Sequence, residues 1–274
     1  WSQLGFHIAS VCRNYARFLS REQINYLVAL ASGCISLGIN IDATSVRLKL
    51  CGLGMELGNY DLTEVCLQQI SDYQIQYVYS GTLGFDQMVT VLNCNLVSCL
   101  EKVCTKIYST EELMQSQVSV SVVYVPSEIP ITPIPLRMEM FKSIGAPQDL
   151  RIELNHLCCK WGVVDSLMCL YFFQYLNFGR QRKERHKQSA MENMIHVIRT
   201  EPNIQHRDTA LNLLGYSFLH ENQLNNAFIS FTQSLKIRPY HNAAKFYLGV
   251  LFKRAHVTHR RRVRCGNGLT RIES

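Results

Sequence analysis

Any chemistry in this sequence would have to come from its cysteines, histidines, adjacent carboxylates or basic clusters. Cys94, Cys99 and Cys104 lie five apart, and Cys158-Cys159 follow closely on His156. A zinc site takes its ligands from pairs two to four residues apart, on turns that let four donors converge. Positions five apart diverge by about 140° on an α-helix, so these thiols read as core residues rather than ligands. None of the histidines pairs with another across a glutamate as in the zincins, and no Gly-x-Ser-x-Gly elbow, phosphate loop or dinucleotide fingerprint occurs. Glu111-Glu112 stand at an expected helix start, where carboxylates favour the dipole. The sequence predicts no enzyme, no cofactor and no metal.

Two basic runs remain. Arg180, Arg182, Lys183, Arg185 and Lys187 form one; Lys253, Arg254, Arg260, Arg261, Arg262 and Arg264 form the other. The chain carries a net charge of +7, so outside these runs it is mildly acidic. Clustered Lys and Arg supply the sequence-independent part of nucleic-acid affinity. A nuclear nucleic-acid-associated protein using 180–187 and 253–264 is therefore one reading. No aromatic residues interleave the runs to stack bases, and an exposed, solvated loop or a solvated helix end is the expected role of 180–187.

Most of the 11 cysteines, among them Cys12, Cys34, Cys51, Cys66, Cys99, Cys104 and Cys169, sit in apolar runs, and their number is odd. Free cysteine serves as a small core hydrophobe in reducing compartments, so an intracellular protein, cytoplasmic or nuclear, is expected. No leader pattern is read at Trp1 to Asn14. Gln23 to Ile41 is uncharged, but Asn25, Ser32, Ser36 and Asn40 with two glycines suit a buried helix better than a membrane span.

The elements that would position these residues are helical. Ser20 with Gln23 fits a capping box opening a helix over about 21–37. Asp42, Thr44 or Ser45 can cap the next, with Leu48, Leu50, Leu53 and Leu57 leading to a left-handed turn at Gly58 and a second helix over 62–70. Leu92, Leu96, Leu100, Val103 and Ile107 share a helical face, and Ser109 with Glu112 opens another helix. Alternating Val118, Val120 and Val122, followed by Pro126, Pro130, Pro133 and Pro135, predict an extended ribbon or linker from Gln117 to Leu136. Thr132-Pro133 and Pro130-x-x-Pro133 could serve a proline-directed kinase or a polyproline reader, though such spacings are usually linker. Leu150, Leu154, Leu157 and Trp161, then Val164, Leu167 and Leu170, restore helical periodicity. The division expected is a helical region over 1–116, an extended segment over 117–148, a helical array over 149–252 and a basic, disordered tail over 253–274.

Near the end of the array the chain repeats itself. Leu211-x2-Leu214-Gly215-x2-Phe218 is followed by Ala227-x3-Phe231, Ser234 and Pro239, and 34 residues after the first motif comes Leu248-Gly249-x2-Phe252. This pattern and period resemble the tetratricopeptide repeat, with a clear unit over 208–241 and a partial one over 242–252. Glycine and alanine permit close antiparallel approach, the aromatics fill the gap, Pro239 ends the second helix and Asn242 can cap the next. Ala190, Met194, Val197 and Pro202 follow the second-helix pattern at an offset of 37, and Leu57 to Asp61 resembles a hairpin turn, with Gly54 and Thr63 near it. The resemblance implies an all-α, helical-hairpin solenoid whose first helices line a groove. Asn212, Tyr216, His220, Lys245 and Leu248 are the groove residues it implies, and an adaptor binding an unidentified protein partner is the expected function.

Overall fold

The computed structural model describes residues 2–39, 43–74, 121–144, 160–201 and 204–269. The helix expected over 92–107, the cap at Ser109, the clustered thiols at 94–104 and 158–159 and the periodic run at 150–157 lie outside them. The described residues are mostly helical, in agreement with an all-α expectation, apart from one short two-stranded ribbon. No helix among them is long and apolar enough to cross a membrane.

α1 (Ser2–Tyr15) pairs with α2 (Arg21–Ile39) across a short 3₁₀ turn, Ala16–Phe18. The capping box forms as read: the Gln23 amide donates to Ser20 Oγ at 3.2 Å, and the Ser20 amide donates to Gln23 Oε1 at 2.9 Å. α3 (Ala43–Glu56) and α4 (Tyr60–Gln74) make a hairpin turning at Gly58, whose φ of 77° is the left-handed conformation glycine adopts without strain.

The proline-rich stretch departs from the linker expectation. Among its described residues Val122–Tyr124 is a strand, β1, paired antiparallel with β2 (Gly162–Val164) in the register Val122 to Val164, while Val118 and Val120 lie outside them; Val164, expected in a helical run, falls in this ribbon instead. Pro126–Ile131 forms a 3₁₀ helix and Ile134–Met140 is α5. Proline is tolerated in a first turn, where no amide is required of it, and Pro126 and Pro135 stand at such positions. The segment is a core element: Val122, Tyr124, Ile131 and Leu136 are buried. Thr132 is buried too, its hydroxyl donating to the Glu128 carbonyl, and Pro133 is buried, so neither a kinase nor a polyproline reader has access there.

Glu128 shows why this segment folds inward. Its buried carboxylate receives Lys49 Nζ at 2.9 and 3.0 Å and the Val125 amide at 3.0 Å, and the Lys49 ammonium lies about 5 Å from the Phe6 and Tyr124 rings. A buried charge persists only when paired and hydrogen-bonded, and this pair binds α1, α3 and the 3₁₀ turn into one unit.

Two further hairpins follow: α6 (Ser166–Arg180) with α7 (Glu184–Thr200), and α8 (Arg207–His220) with α9 (Leu224–Ile237); α10 (Ala244–Leu269) closes the described chain. Their turns copy that of α3 and α4. Arg182 and Asn222 each take φ 59°, and the Asn59, Lys183 and Gln223 amides donate to the Gly54, Phe178 and Phe218 carbonyls at 2.9, 2.9 and 2.8 Å. This is the six-to-one closure of a helix C-terminus. It aligns Arg182 with Asn222, an offset of 40, and so corrects the offset of 37. Lys187, Ala190, Met191 and Met194 occupy the places of Ala227, Ser230, Phe231 and Ser234, and all eight are buried. Thr63, Cys66, Leu67 and Ile70 match them in α4, with Cys66 only half-buried. The basic run 180–187 is thus a tight turn and a helix start, and 253–269 of the expected tail continue α10 as one helix, with 270–274 outside the described residues.

Leu211, Leu214, Phe218, Ala227, Phe231 and Ser234 are buried between helices, as the pattern implies. A Cβ on Gly215 would lie 2.5 to 2.9 Å from three carbons of the Phe231 ring, so only glycine allows this approach. Pro239 is exposed and follows Arg238, whose extended backbone ends α9. Gly249 and Phe252 depart from the packing role: a Cβ at 249 meets open space, and Phe252 is 57% exposed.

Gly215→Ala is expected to lower stability by about 1–3 kcal/mol through overpacking. Gly249→Ala should raise it by about 0.5–1 kcal/mol through helix propensity. Urea denaturation of the two variants checks the pair, and equal effects would contradict the different surroundings of the two glycines.

Candidate functional site

The expected groove residues separate into three environments. Asn212 is fully buried, its amide donating to Glu139 Oε1 at 2.8 Å and to Asn242 Oδ1 at 2.9 Å. Lys245 is exposed and lies over the Tyr240 ring at 5.3 Å. Tyr216 and Leu248 are half-buried and His220 is exposed. Asn212 and Lys245 therefore do not share a groove, which is a correction, whereas Tyr216 and His220 stand stacked with centroids 6.3 Å apart.

Tyr216 is the middle ring of a series crossing α6, α8 and α10. Its centroid lies 6.2 Å from Phe172 of α6 and 6.0 Å from Tyr247 of α10, both edge-on. Burial pushes the Tyr216 hydroxyl above the usual tyrosine range, and the cations of Arg180 and Arg254 oppose that shift. Tyr216 and His220 thus form a face that the guanidiniums of Arg180 and Arg254 approach closely enough to act on the tyrosine hydroxyl. Arg254 also donates to the Leu219 carbonyl at 2.8 Å, which holds α10 against the end of α8.

Beside this face runs a polar seam between successive turns. Asn177 donates to the Tyr60 carbonyl, Gln181 reaches Asp61, and Lys183 pairs with Glu64 at 2.6 Å. One hairpin further, Tyr175 donates to Glu221 Oε1 at 2.8 Å, and buried Lys187 reaches Glu184 at 2.6 Å and Glu221 at 3.1 Å. Burial works against the charge on Lys187, but Glu184 and Glu221 outweigh it and lift its pKa. Glu221 is likewise opposed by burial and held below the carboxylate range by Tyr175 and Lys187. The tyrosine is driven further from ionisation, which suits a tie between helices better than acid–base chemistry. So the basic run divides: Lys183 and Lys187 join hairpins, while Arg180, Arg182 and Arg185 face solvent. Arg260, Arg261, Arg262 and Arg264 lie on the last turns of α10.

Beneath the face, Asn212 belongs to a buried network that the sequence reading missed. Asn242 donates to the Ser234 and Arg238 carbonyls at 3.1 and 2.9 Å, and its Oδ1 caps α10 by accepting the Ala244 amide at 2.8 Å. Ser234 donates to the Asp208 carbonyl at 2.8 Å, and Asp208 pairs with Arg238 at 3.2 Å. Burial raises the pKa of Glu139 to about 7, against the influence of Lys142 and Asn212. Burial lowers that of His206 to about 4, with Asp208 opposing. Polar residues at helical spacing cannot announce such a network, since their partners come from α5, α8 and α9. Among the described residues no three His, Cys, Asp or Glu side chains converge as a metal site would require.

Comparison with protein-family models, with curated proteins and with solved structures finds no match to this chain.

The buried pair sets a pH dependence. Glu139 keeps in the fold a proton that the unfolded chain, at 4.5, releases earlier. Its contribution is complete below pH 4.5 and lost as pH rises to about 7. His206 is neutral in the fold and protonates below 6.5 when unfolded, so its contribution is present above pH 6.5 and lost as pH falls to about 4. Glu139→Gln leaves only the second trend. Its urea midpoint should climb more steeply than that of the parent between pH 4 and 6.5, and at pH 8 it should be the more stable by on the order of 2 kcal/mol. Parallel profiles for the two proteins would show that Glu139 does not titrate in this window.

Proposed function

We propose that this chain is a non-enzymatic interaction scaffold or adaptor subunit of tetratricopeptide type, which holds an acidic segment of a partner protein against its first-helix face. The observation that carries the reading is the threefold recurrence of one hairpin design. The turns at Gly58, Arg182 and Asn222 share a left-handed residue and the same six-to-one closure. The second helices share four matching inward positions. Hairpins of one design bury their apolar faces on one another and leave a continuous surface lined by equivalent helices. On α6, α8 and α10 that surface offers Tyr216, His220, Leu248, Arg180 and Arg254. An aromatic ring beside guanidiniums favours carboxylates flanked by apolar side chains, because arginine matches carboxylate geometry and stacks on rings.

Nucleic acid is the second reading. Exposed Arg180, Arg182 and Arg185 and the basic end of α10 support it. The engagement of Lys183 and Lys187 in ion pairs weighs against it, because neither is released to meet phosphates.

The combined variant Arg180→Glu and Tyr216→Ser removes a cation and a ring from the face. Its thermal midpoint is expected to fall by several degrees as the ring leaves Phe172 and Tyr247, with the chain still folded by circular dichroism and affinity for proteins co-purified from a eukaryotic lysate lowered at least about tenfold. A partner set that survives both substitutions, or that vanishes on nuclease treatment, would favour the basic runs instead.

A further inference from the structure

The outward face of α10 carries a feature that no contact among the described residues accounts for. Glycine inside a helix costs about 1 kcal/mol relative to alanine, and its usual justification is close packing or a special backbone conformation. Gly215 has such a justification in the Phe231 ring. Gly249, 34 residues later in the same Leu-Gly-x2-Phe motif, has helical backbone, is exposed, and has nothing near the place its Cβ would take. Among the described residues, the notch that α9 fills on α8 is open on α10.

The residues around Gly249 are arranged symmetrically, as Lys245-Phe246-x2-Gly249-x2-Phe252-Lys253. At 100° per residue all four side chains leave the helix within about 60° of the glycine, over a strip about 12 Å long. Phe246 and Phe252 are 54% and 57% exposed, and Phe228 of α9, 6.3 Å from Phe252, widens the strip. Two exposed phenylalanines bracketing an empty glycine form a surface that a helix can approach closely.

Charge chooses among occupants. A second copy crossing antiparallel at Gly249 would satisfy the shape, but it would set each Lys245 against another lysine, and α10 adds Arg260, Arg261, Arg262 and Arg264 further on. Like charges directly opposed disfavour that pairing. We propose that this strip docks an acidic amphipathic helix of a partner protein, with an aromatic side chain entering the Gly249 notch as Phe231 enters that of Gly215. Carboxylates about two turns apart on that helix would meet Lys245 and Lys253. The proposal shares with the scaffold reading only the premise of an interaction protein, and it uses a different face from that of Tyr216 and His220.

The test uses the full chain and two fluorescent, hydrocarbon-stapled helical peptides of 14 residues. Both carry Ala-x3-Phe on the apolar side; one is flanked by glutamates and the other by lysines. Fluorescence anisotropy should show the glutamate peptide binding at least about tenfold more tightly. Gly249→Phe, whose side chain enters open space and spares the fold, should erase that binding. The double variant Lys245→Glu and Lys253→Glu should reverse the preference. Arg180→Gln, an exposed change on α6, should leave all of this unchanged, so the outcome is separable from that of the first-helix face. Equal binding of the two peptides, or binding indifferent to Gly249→Phe, would overturn the proposal. So would sedimentation of the chain as a dimer that Gly249→Phe dissociates, since the occupant would then be a second copy.

Discussion

The C-terminal half depends on the seating of one aromatic ring. Phe231 is fully buried, presses on the backbone of Gly215 and stacks on Tyr247 at 5.1 Å with the ring planes 10° apart. One ring thereby sets the spacing of α8 from α9 and the seat of α10. The constraint is steric: interiors are packed to near-crystalline density, so a flat ring against a residue without a side chain leaves little freedom in how the helices lie. The capping of α10 by Asn242, the burial of Asn212 and the edge contact of Tyr216 with Tyr247 follow from that placement.

Polar interactions then decide which hairpins are neighbours. Apolar faces attract without direction, but the seam from Asp61 and Glu64 through Lys183, and from Glu221 through Lys187 and Tyr175, requires matched partners on adjoining turns. At the other end, Lys49 with Glu128 binds the proline-rich segment to α1 and α3. Removing one member of the buried Lys49–Glu128 pair, or Glu221 from beside Lys187, strands the other charge, so these two contacts discriminate between correct and shifted packing. The same economy leaves the exposed cations, Arg180 among them, for other use.

The elements most legible in the sequence were those determined by neighbours a few residues apart. The Ser20 and Gln23 box, the left-handed Gly58, the cap at Asn242 and the buried stripe of α9 all depend on spacings within one or two turns. Misread elements depended on distant chain. Lys187 was taken for a solvated basic residue because no short-range signal reveals Glu221 on another hairpin, and that misreading also placed Ala190 where Lys187 belongs. Asn212 looked like a groove residue because helical spacing reports a face, whereas Glu139 and Asn242 arrive from elsewhere. The prolines suggested a linker, since their missing amides rule out a long helix but permit the first turns of short ones. For the candidate face, helical spacing brings Tyr216 and His220 together, while Arg180 and Arg254 come near Tyr216 only through the packing of α6 and α10.

The sequence by itself determined the helical class, the start of α2, the turn between α3 and α4 and the need for glycine at 215, because backbone preference and apolar periodicity act locally. Tertiary structure alone decided which charges are buried, which face of α10 stays open and which residues share a surface. Those outcomes depend on desolvation and on pairing between groups far apart in the chain, and desolvation is a property of the packed molecule rather than of any residue's neighbours in sequence.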